Sequence, residues 1–268
     1  MAQQVGVIKY KGTIGDIRHF KIKGLHGDYA GLKGGPSAEQ IKTDPVFQRT
    51  RENMNEFSGC AAAAKSLRMG LSPLMAQMSD PHLTGRLTAI MKKINLEDQS
   101  EARGYRAVLI SDQRKYLKGL NFNKNISLES VLLAPFTVSN TEDRTIAILT
   151  VPTFNPATGI KAPAGATHFR FVNALSVISD FAYNDVTKVY EPVEPNLNEI
   201  SNITYSDFIG LYGGEVEEIE VISSLPEETV LTDNVSVIQS IGIEFYQKVG
   251  ENYYLFNSGN CLKIGELF

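Results

Sequence analysis

The stretch NVSVIQSIGIEFYQKV, residues 234–249, decides what the second half of this chain is. Valine, isoleucine, phenylalanine and tyrosine dominate it, and β-branched and aromatic side chains suit a pleated, half-buried surface. The same texture returns in SVLLAPFTVS (130–139), RTIAILTV (144–151), THFRFVNALSVISDFAY (167–183), KVYEPV (188–193), VEEIEVISS (216–224), NYYLF (252–256) and CLKIGEL (261–267). These runs are short, separated by Asn, Asp, Gly and Pro, and have no helical pattern between them, which predicts an antiparallel β-sandwich over residues 120–268. YNDVTKVY (183–190) and YQKVGENYYLF (246–256) read as hairpins, and 191–208 reads as a long, poorly patterned connection.

Upstream the pattern is different. Residues 1–36 alternate apolar and polar side chains around Gly12, Gly15, Gly24, Gly27 and Gly31, the signature of short strands joined by tight turns. Val5, Val7, Ile14, Ile17 and Phe20 are the expected buried positions of this β ribbon, with Arg18 and Lys33 among the basic side chains facing water or a partner. Residues 37–119 turn helical. Ser37 with Gln40 fits a capping box, and Asp44-Pro45 and Asp80-Pro81 each place an acid before a proline at a helix start. Phe47, Thr50, Met54, Phe57, Ala61, Ala64 and Leu71 follow the spacing of a buried stripe, as do Leu83, Leu87, Ile90, Met91 and Ile94. Gly59 weakens the first of these helices unless another element approaches it closely. A third helix is expected over 98–119, its continuity weakened at Gly104. The fold class is therefore α+β, in three parts: ribbon 1–36, helical region 37–119 and β-sandwich 120–268.

At 268 residues, with 43% hydrophobic and 21% charged side chains, the chain can bury a sizeable core. No apolar run spans a bilayer and no signal peptide is recognisable at Met1, so a cytoplasmic location without membrane contact is expected. Cys60 and Cys261 lie in unlike contexts and read as two packed, free thiols. The net charge of −4 hides an asymmetry. Residues 1–118 carry 19 Lys/Arg against 11 Asp/Glu (+8), and residues 119–268 carry 7 against 19 (−12). Such polarity can be satisfied within one molecule, can draw nucleic acid to the basic half, or can draw a second copy's acidic half to it.

Catalytic constellations are missing. His19, His26, His82 and His168 are isolated, and none has zinc-ligand spacing with Cys, Asp or Glu. GLHGDYAGLKGG (24–35) is glycine-rich but matches neither nucleotide-binding fingerprint. Glu215, Glu217, Glu218 and Glu220 alternate along a strand, with Glu218 and Glu220 on one side, and read as a solvated edge that resists unwanted pairing. In RTRENMNEF (49–57), with Phe47, Met54 and Phe57 inward, Arg49, Glu52 and Glu56 share the outer side of the helix and Arg51 lies on its flank. We read this as a contact surface, since a guanidinium suits an acidic partner.

KGTIGDIRHFK (11–21), GLKGGPSAEQIKTDPVFQRTRENMNEF (31–57), LTGRLTAIMKKI (83–94), APAGATHFRFVNA (162–174) and IGIEFYQKVGENYYLF (241–256) resemble a bacterial protein family of uncharacterised activity. That family is marked by K-G-x-[IL]-G-D, K-G-G and D-P-x-F-x-R-T-R-E-N-x-x-E-F elements ahead of a β-rich half ending in G-I-E-F-Y-Q. The resemblance covers most of the chain and implies a structural rather than an enzymatic role. The expectation is a non-enzymatic protein without cofactor, metal or small-molecule substrate. It assembles with itself into a filament, tube or ring, with Arg18, Lys33, Arg49, Arg51, Glu52, Glu218 and Glu220 as candidate subunit contacts. Nucleic-acid association through the basic half is the alternative.

Overall fold

Gly15 takes the left-handed backbone (φ 58°) that the first central position of a two-residue hairpin loop demands, so the chain reverses between Ile14 and Ile17. In the computed structural model, which describes all residues Met1–Phe268, this hairpin belongs to the smaller of two units, Met1–Arg51; the larger is Glu52–Phe268. Strands β1 (Ala2–Gln3), β2 (Gly12–Ile14), β3 (Ile17–Phe20) and β4 (Tyr29–Leu32) make a four-stranded antiparallel sheet in the order β1-β4-β3-β2. Helix α1 (Ala38–Thr43) opens on the expected capping box: Ser37 Oγ accepts from the Gln40 amide at 3.1 Å, and Gln40 Oε1 accepts from the Ser37 amide at 2.7 Å. Asp44 caps one 3-10 turn, Pro45–Phe47.

No residue of this unit is buried. Val5, Val7, Ile14 and Ile17 are exposed and Phe20 is only half-buried, against the expectation of an inward row. Short strands and a helix of six residues are too little to enclose a core.

In the larger unit the first helix turns a different face inward from the one its bulkiest side chains suggest. Helix α2 (Gln48–Gly70) buries Glu56, Gly59, Cys60, Ala63, Ala64, Leu67 and Gly70, while Met54 and Phe57 stand 59% and 58% exposed. Small side chains let neighbours come close. A Cβ at Gly59 would lie 2.5 Å from the Tyr190 ring, and one at Gly70 only 2.0 Å from Ser176 Oγ. Helices α3 (Ser72–Met78) and α4 (Leu83–Glu97) follow. Asp80 shapes the turn before α4, accepting from the His82 amide at 2.6 Å and from Arg86 Nη2 at 2.7 Å. The helix expected over 98–119 is absent apart from a 3-10 turn at Arg114–Tyr116. Asp98 instead accepts from the amides of Ser100 and Ala107 (2.8 and 2.7 Å), and Gly104 adopts φ 96°, so the segment folds as a loop.

The rest of the chain is β-rich and antiparallel. Its strands are β5 (Thr137–Asn140), β6 (Ile146–Val151), β7 (His168–Ser179), β8 (Phe181–Asn184), β9 (Val189–Pro192), β10 (Ser201–Tyr205), β11 (Ile209–Gly210), β12 (Ile219–Ser224), β13 (Val235–Val249), β14 (Asn252–Leu255) and β15 (Cys261–Leu267). The central six-stranded sheet runs β10-β7-β13-β14, with β11 on β7 and β15 on β13; a three-stranded sheet runs β12-β6-β5. Both expected hairpins form, β8 with β9 and β13 with β14. β10 lies inside the segment read as an unpatterned connection.

Alternation along β7 and β13 gives the central sheet two apolar faces. Val172, Ala174, Ile178 and Ile238 pack on the helices with Cys60, Leu67, Leu87 and Ile94, while Phe169, Phe171, Ile243 and Phe245 pack on Leu149, Val151 and Val221 of the smaller sheet. The boundary expected at 119/120 therefore crosses one continuous core, and the division falls instead in the first turn of α2. Between the sheets, Asn173 Nδ2 donates to the carbonyls of Ala147 and Val221 (2.9 and 2.7 Å), and Gln239 Nε2 donates to Ile148 (3.2 Å).

Candidate functional site

The strongest charge cluster is structural. Glu56 is fully buried and receives hydrogen bonds from Arg106, Lys92 and the Gly104 amide; burial pushes its pKa up, but these donors outweigh burial and hold it at about 2. A carboxylate without accessible surface meets no substrate. Arg170 sits in a second closed cluster. Its Nε donates to Glu244 Oε2 at 2.8 Å, its guanidinium lies 3.7 Å from the Tyr205 ring centre, and Tyr246 donates its hydroxyl to the same glutamate oxygen. The arginine itself occupies the space beside the Tyr205, Phe208 and Tyr246 rings. Burial is also the main reason the His168 pKa is lowered, and Tyr253 packs edge-on against its ring. No group of three or more His, Cys, Asp or Glu side chains is gathered where a metal ion could be held. No helix is long and apolar enough to cross a membrane. Cys60 and Cys261 are free and buried.

Two surface features differ in charge, one in each unit. In the smaller unit, the register of β2, β3 and β4 sets Ile14 opposite Ile17 and Ile17 opposite Leu32. Directly opposed residues project from the same side of a sheet, so the three form one cross-strand apolar row, 57%, 45% and 82% exposed. The unit carries 9 Lys/Arg against 4 Asp/Glu, a net of +5. Lys11, Lys23 and Lys33 have no acidic partner.

In the larger unit, whose 17 Lys/Arg and 26 Asp/Glu give −9, a cleft of about 370 Å³ opens between Ser206–Ile209 and Val216–Glu220. Ile209, Val216 and Ile219 line it together with Glu217, Glu218 and Glu220, whose carboxylates make no ion pair or hydrogen bond. Phe208, stacked on Tyr253 at 3.9 Å, is exposed beside it.

The residues singled out from sequence are divided by this arrangement. Arg18 and Lys33 are exposed on the basic sheet, and Arg49 is exposed at the start of α2. Arg51 turns inward: its Nη1 donates to the carbonyls of Ile41 and Asp44 at 2.7 and 2.8 Å, so it secures the end of α1 rather than reaching for a partner. Glu52 pairs with Arg103 at 3.3 Å. Glu56, read as part of the outer side, is interior. Glu218 and Glu220 lie on the cleft, and Glu217 joins them. Ile14 and Ile17, expected to be buried, are exposed, and Leu32, which the sequence does not single out, joins them; alternation marks a face of each strand but does not say whether anything covers that face. Compared with known proteins, the chain matches no family model, no curated protein and no solved structure.

Proposed function

We propose that this is a non-enzymatic structural protein that assembles with itself, using Met1–Arg51 as the attachment module and the acidic β-rich unit as its receiver. The observation that carries this reading is that a unit with its own sheet and capped helix contains no buried residue. Ordering a backbone costs about 1–2 kcal/mol per residue, and burial returns only about 25 cal/mol per Å² of apolar surface removed from water. A coreless sheet with an exposed isoleucine and leucine row gains that burial by docking. Opposite net charges on the two units supply the complementary partner within the same gene product, and the family resemblance implies a structural role as well. A basic arm meeting an acidic receiver is a heterologous contact, which propagates head to tail into a filament or tube or closes into a ring.

Sedimentation velocity over a range of protein concentrations, with negative-stain microscopy of the same samples, tests the proposal. Species larger than the monomer should grow with concentration. A strict monomer throughout would overturn self-assembly, and a monomer that binds DNA or RNA with steep salt dependence would move the basic residues to phosphate recognition.

A further inference from the structure

The loop that stands where a third helix was expected builds a cleft against β8. Asp98 accepts from the amides of Ser100 and Ala107, and Val108 and Phe181 each donate an amide to the other's carbonyl, at 2.8 and 3.1 Å. The loop is thereby pinned along the strand, and a cavity of about 380 Å³ opens between residues 100–107 and 182–185. Ala107 and Ala182 are too small to fill it. Two rings line it as well: Tyr105 and Tyr183 meet edge to face with centres 4.9 Å apart, and the buried Tyr190 packs edge-on against Tyr183 at 5.6 Å.

The charged side chains of the lining are carboxylates. That of Glu101 makes no ion pair or hydrogen bond, and that of Asp185 meets only Lys188, at 3.6 Å between two exposed side chains. The loop's own arginines are engaged elsewhere, Arg103 with Glu52 and Arg106 with Glu56, and no lysine or arginine stands over either tyrosine ring. The same chain shows what such a lining holds. At Arg170 a guanidinium lies against Glu244 and against the rings of Tyr205 and Tyr246, 3.7 and 5.2 Å from their centres. A ring face attracts a cation within about 6 Å, and a carboxylate beside it adds a charge-assisted hydrogen bond. Between Tyr105 and Tyr183 the rings and the carboxylates are in place, and no side chain of the molecule supplies the cation.

We infer that this cleft binds an organic cation, a guanidinium or alkylammonium group, against Tyr105 and Tyr183 with Glu101 and Asp185 as its counter-charges. The site lies within the larger unit and is independent of the self-assembly proposed above.

The test titrates the full-length chain, with isotope-labelled tyrosine, with N-acetylarginine amide and follows the ring signals by NMR. Those of Tyr105 and Tyr183 should shift and saturate. N-acetylcitrulline amide, an uncharged counterpart of nearly the same shape, should bind about tenfold more weakly, because rings and carboxylates both favour the cation. Tyr105→Ala and Glu101→Gln should each weaken binding about two- to fivefold, the range of an exposed cation–π contact or surface ion pair. Both side chains are exposed, so thermal unfolding should match the native chain; should Y105A lose stability, E101Q carries the same comparison. Ethylguanidinium separates the two sources of the group. Affinity equal to that of the amide assigns the site to a free small cation, and a clear preference for the amide assigns it to an arginine side chain on a polypeptide. Shifts that never saturate, equal binding of the citrulline compound, or unchanged affinity in a folded Y105A/E101Q variant would each overturn the inference.

Discussion

Arg106 grips Glu56 through both carboxylate oxygens, Nε to Oε1 at 2.8 Å and Nη2 to Oε2 at 2.9 Å, and the glutamate has no accessible surface. Removing one member of a buried pair leaves its partner uncompensated, at a cost of about 3–5 kcal/mol. Glu56→Ala should therefore lower stability by that order in urea unfolding; a loss below about 1 kcal/mol would show that Arg106 and Lys92 find water without penalty.

The same pair predicts acid sensitivity. The Glu56 pKa is lowered from 4.5 to about 2 in the folded chain, so its contribution is complete above pH 4.5 and is lost as pH falls from there toward 2. A shift of that size corresponds to about 3 kcal/mol. Unfolding measured at pH 6 and pH 3, for the native chain and for Glu56→Gln, should show a smaller pH dependence in the variant. Equal dependence in both would assign the acid loss to other carboxylates.

Gly59→Ala should destabilise in spite of its better helix propensity. The propensity gain is about 1 kcal/mol, but the new methyl would lie 2.5 Å from the Tyr190 ring. That ring is buried and tethered by its hydroxyl to the Arg106 carbonyl at 2.9 Å, so it has little room to retreat. Overpacking typically costs about 1–3 kcal/mol. A raised melting temperature in G59A would contradict the packing described here.

Both thiols should be silent in the native protein. Burial pushes the Cys60 pKa up to about 11 and that of Cys261 to about 12, which suppresses the thiolate as well as access. Alkylation without reductant should label neither cysteine in the folded chain and both in denaturant, as read by mass spectrometry. Rapid native labelling of either would indicate local opening of the core.

Salt should weaken assembly. Charges on exposed faces are screened as the Debye length shrinks from about 8 Å at physiological ionic strength to about 3 Å at 1 M. Light scattering across that range should report dissociation as salt rises. Association that strengthens with salt would mean that apolar burial alone holds the copies together.

Local chemistry was legible in the sequence. The Ser37 box, the Asp44-Pro45 turn and the β8–β9 and β13–β14 hairpins depend on residues close together in the chain, so a short window contains both partners of each interaction. Asp98 with Glu101 looked equally like a helix start. There the deciding partner was the Ala107 amide, beyond the first turn, and the side chain closed a loop instead.

Helical period alone did not select a face of α2. Phe47, Met54 and Phe57 form one periodic stripe and Glu56, Gly59, Cys60, Ala63, Ala64 and Leu67 another, and the larger side chains are those left outside. The amino-acid sequence by itself determined the helices' and hairpins' local signals, the β-rich second half and the opposed charges of the two ends. Only the tertiary structure decided that the small-residue stripe turns inward, that Glu56 is buried, and that Ile14, Ile17 and Leu32 are uncovered. The reason is range: capping and turn formation are settled within a few residues, whereas burial depends on what arrives from elsewhere. Tyr190 and Arg106 reach α2 from far along the chain and need small neighbours and a carboxylate there, while the N-terminal sheet has no second layer of its own to close over its apolar row.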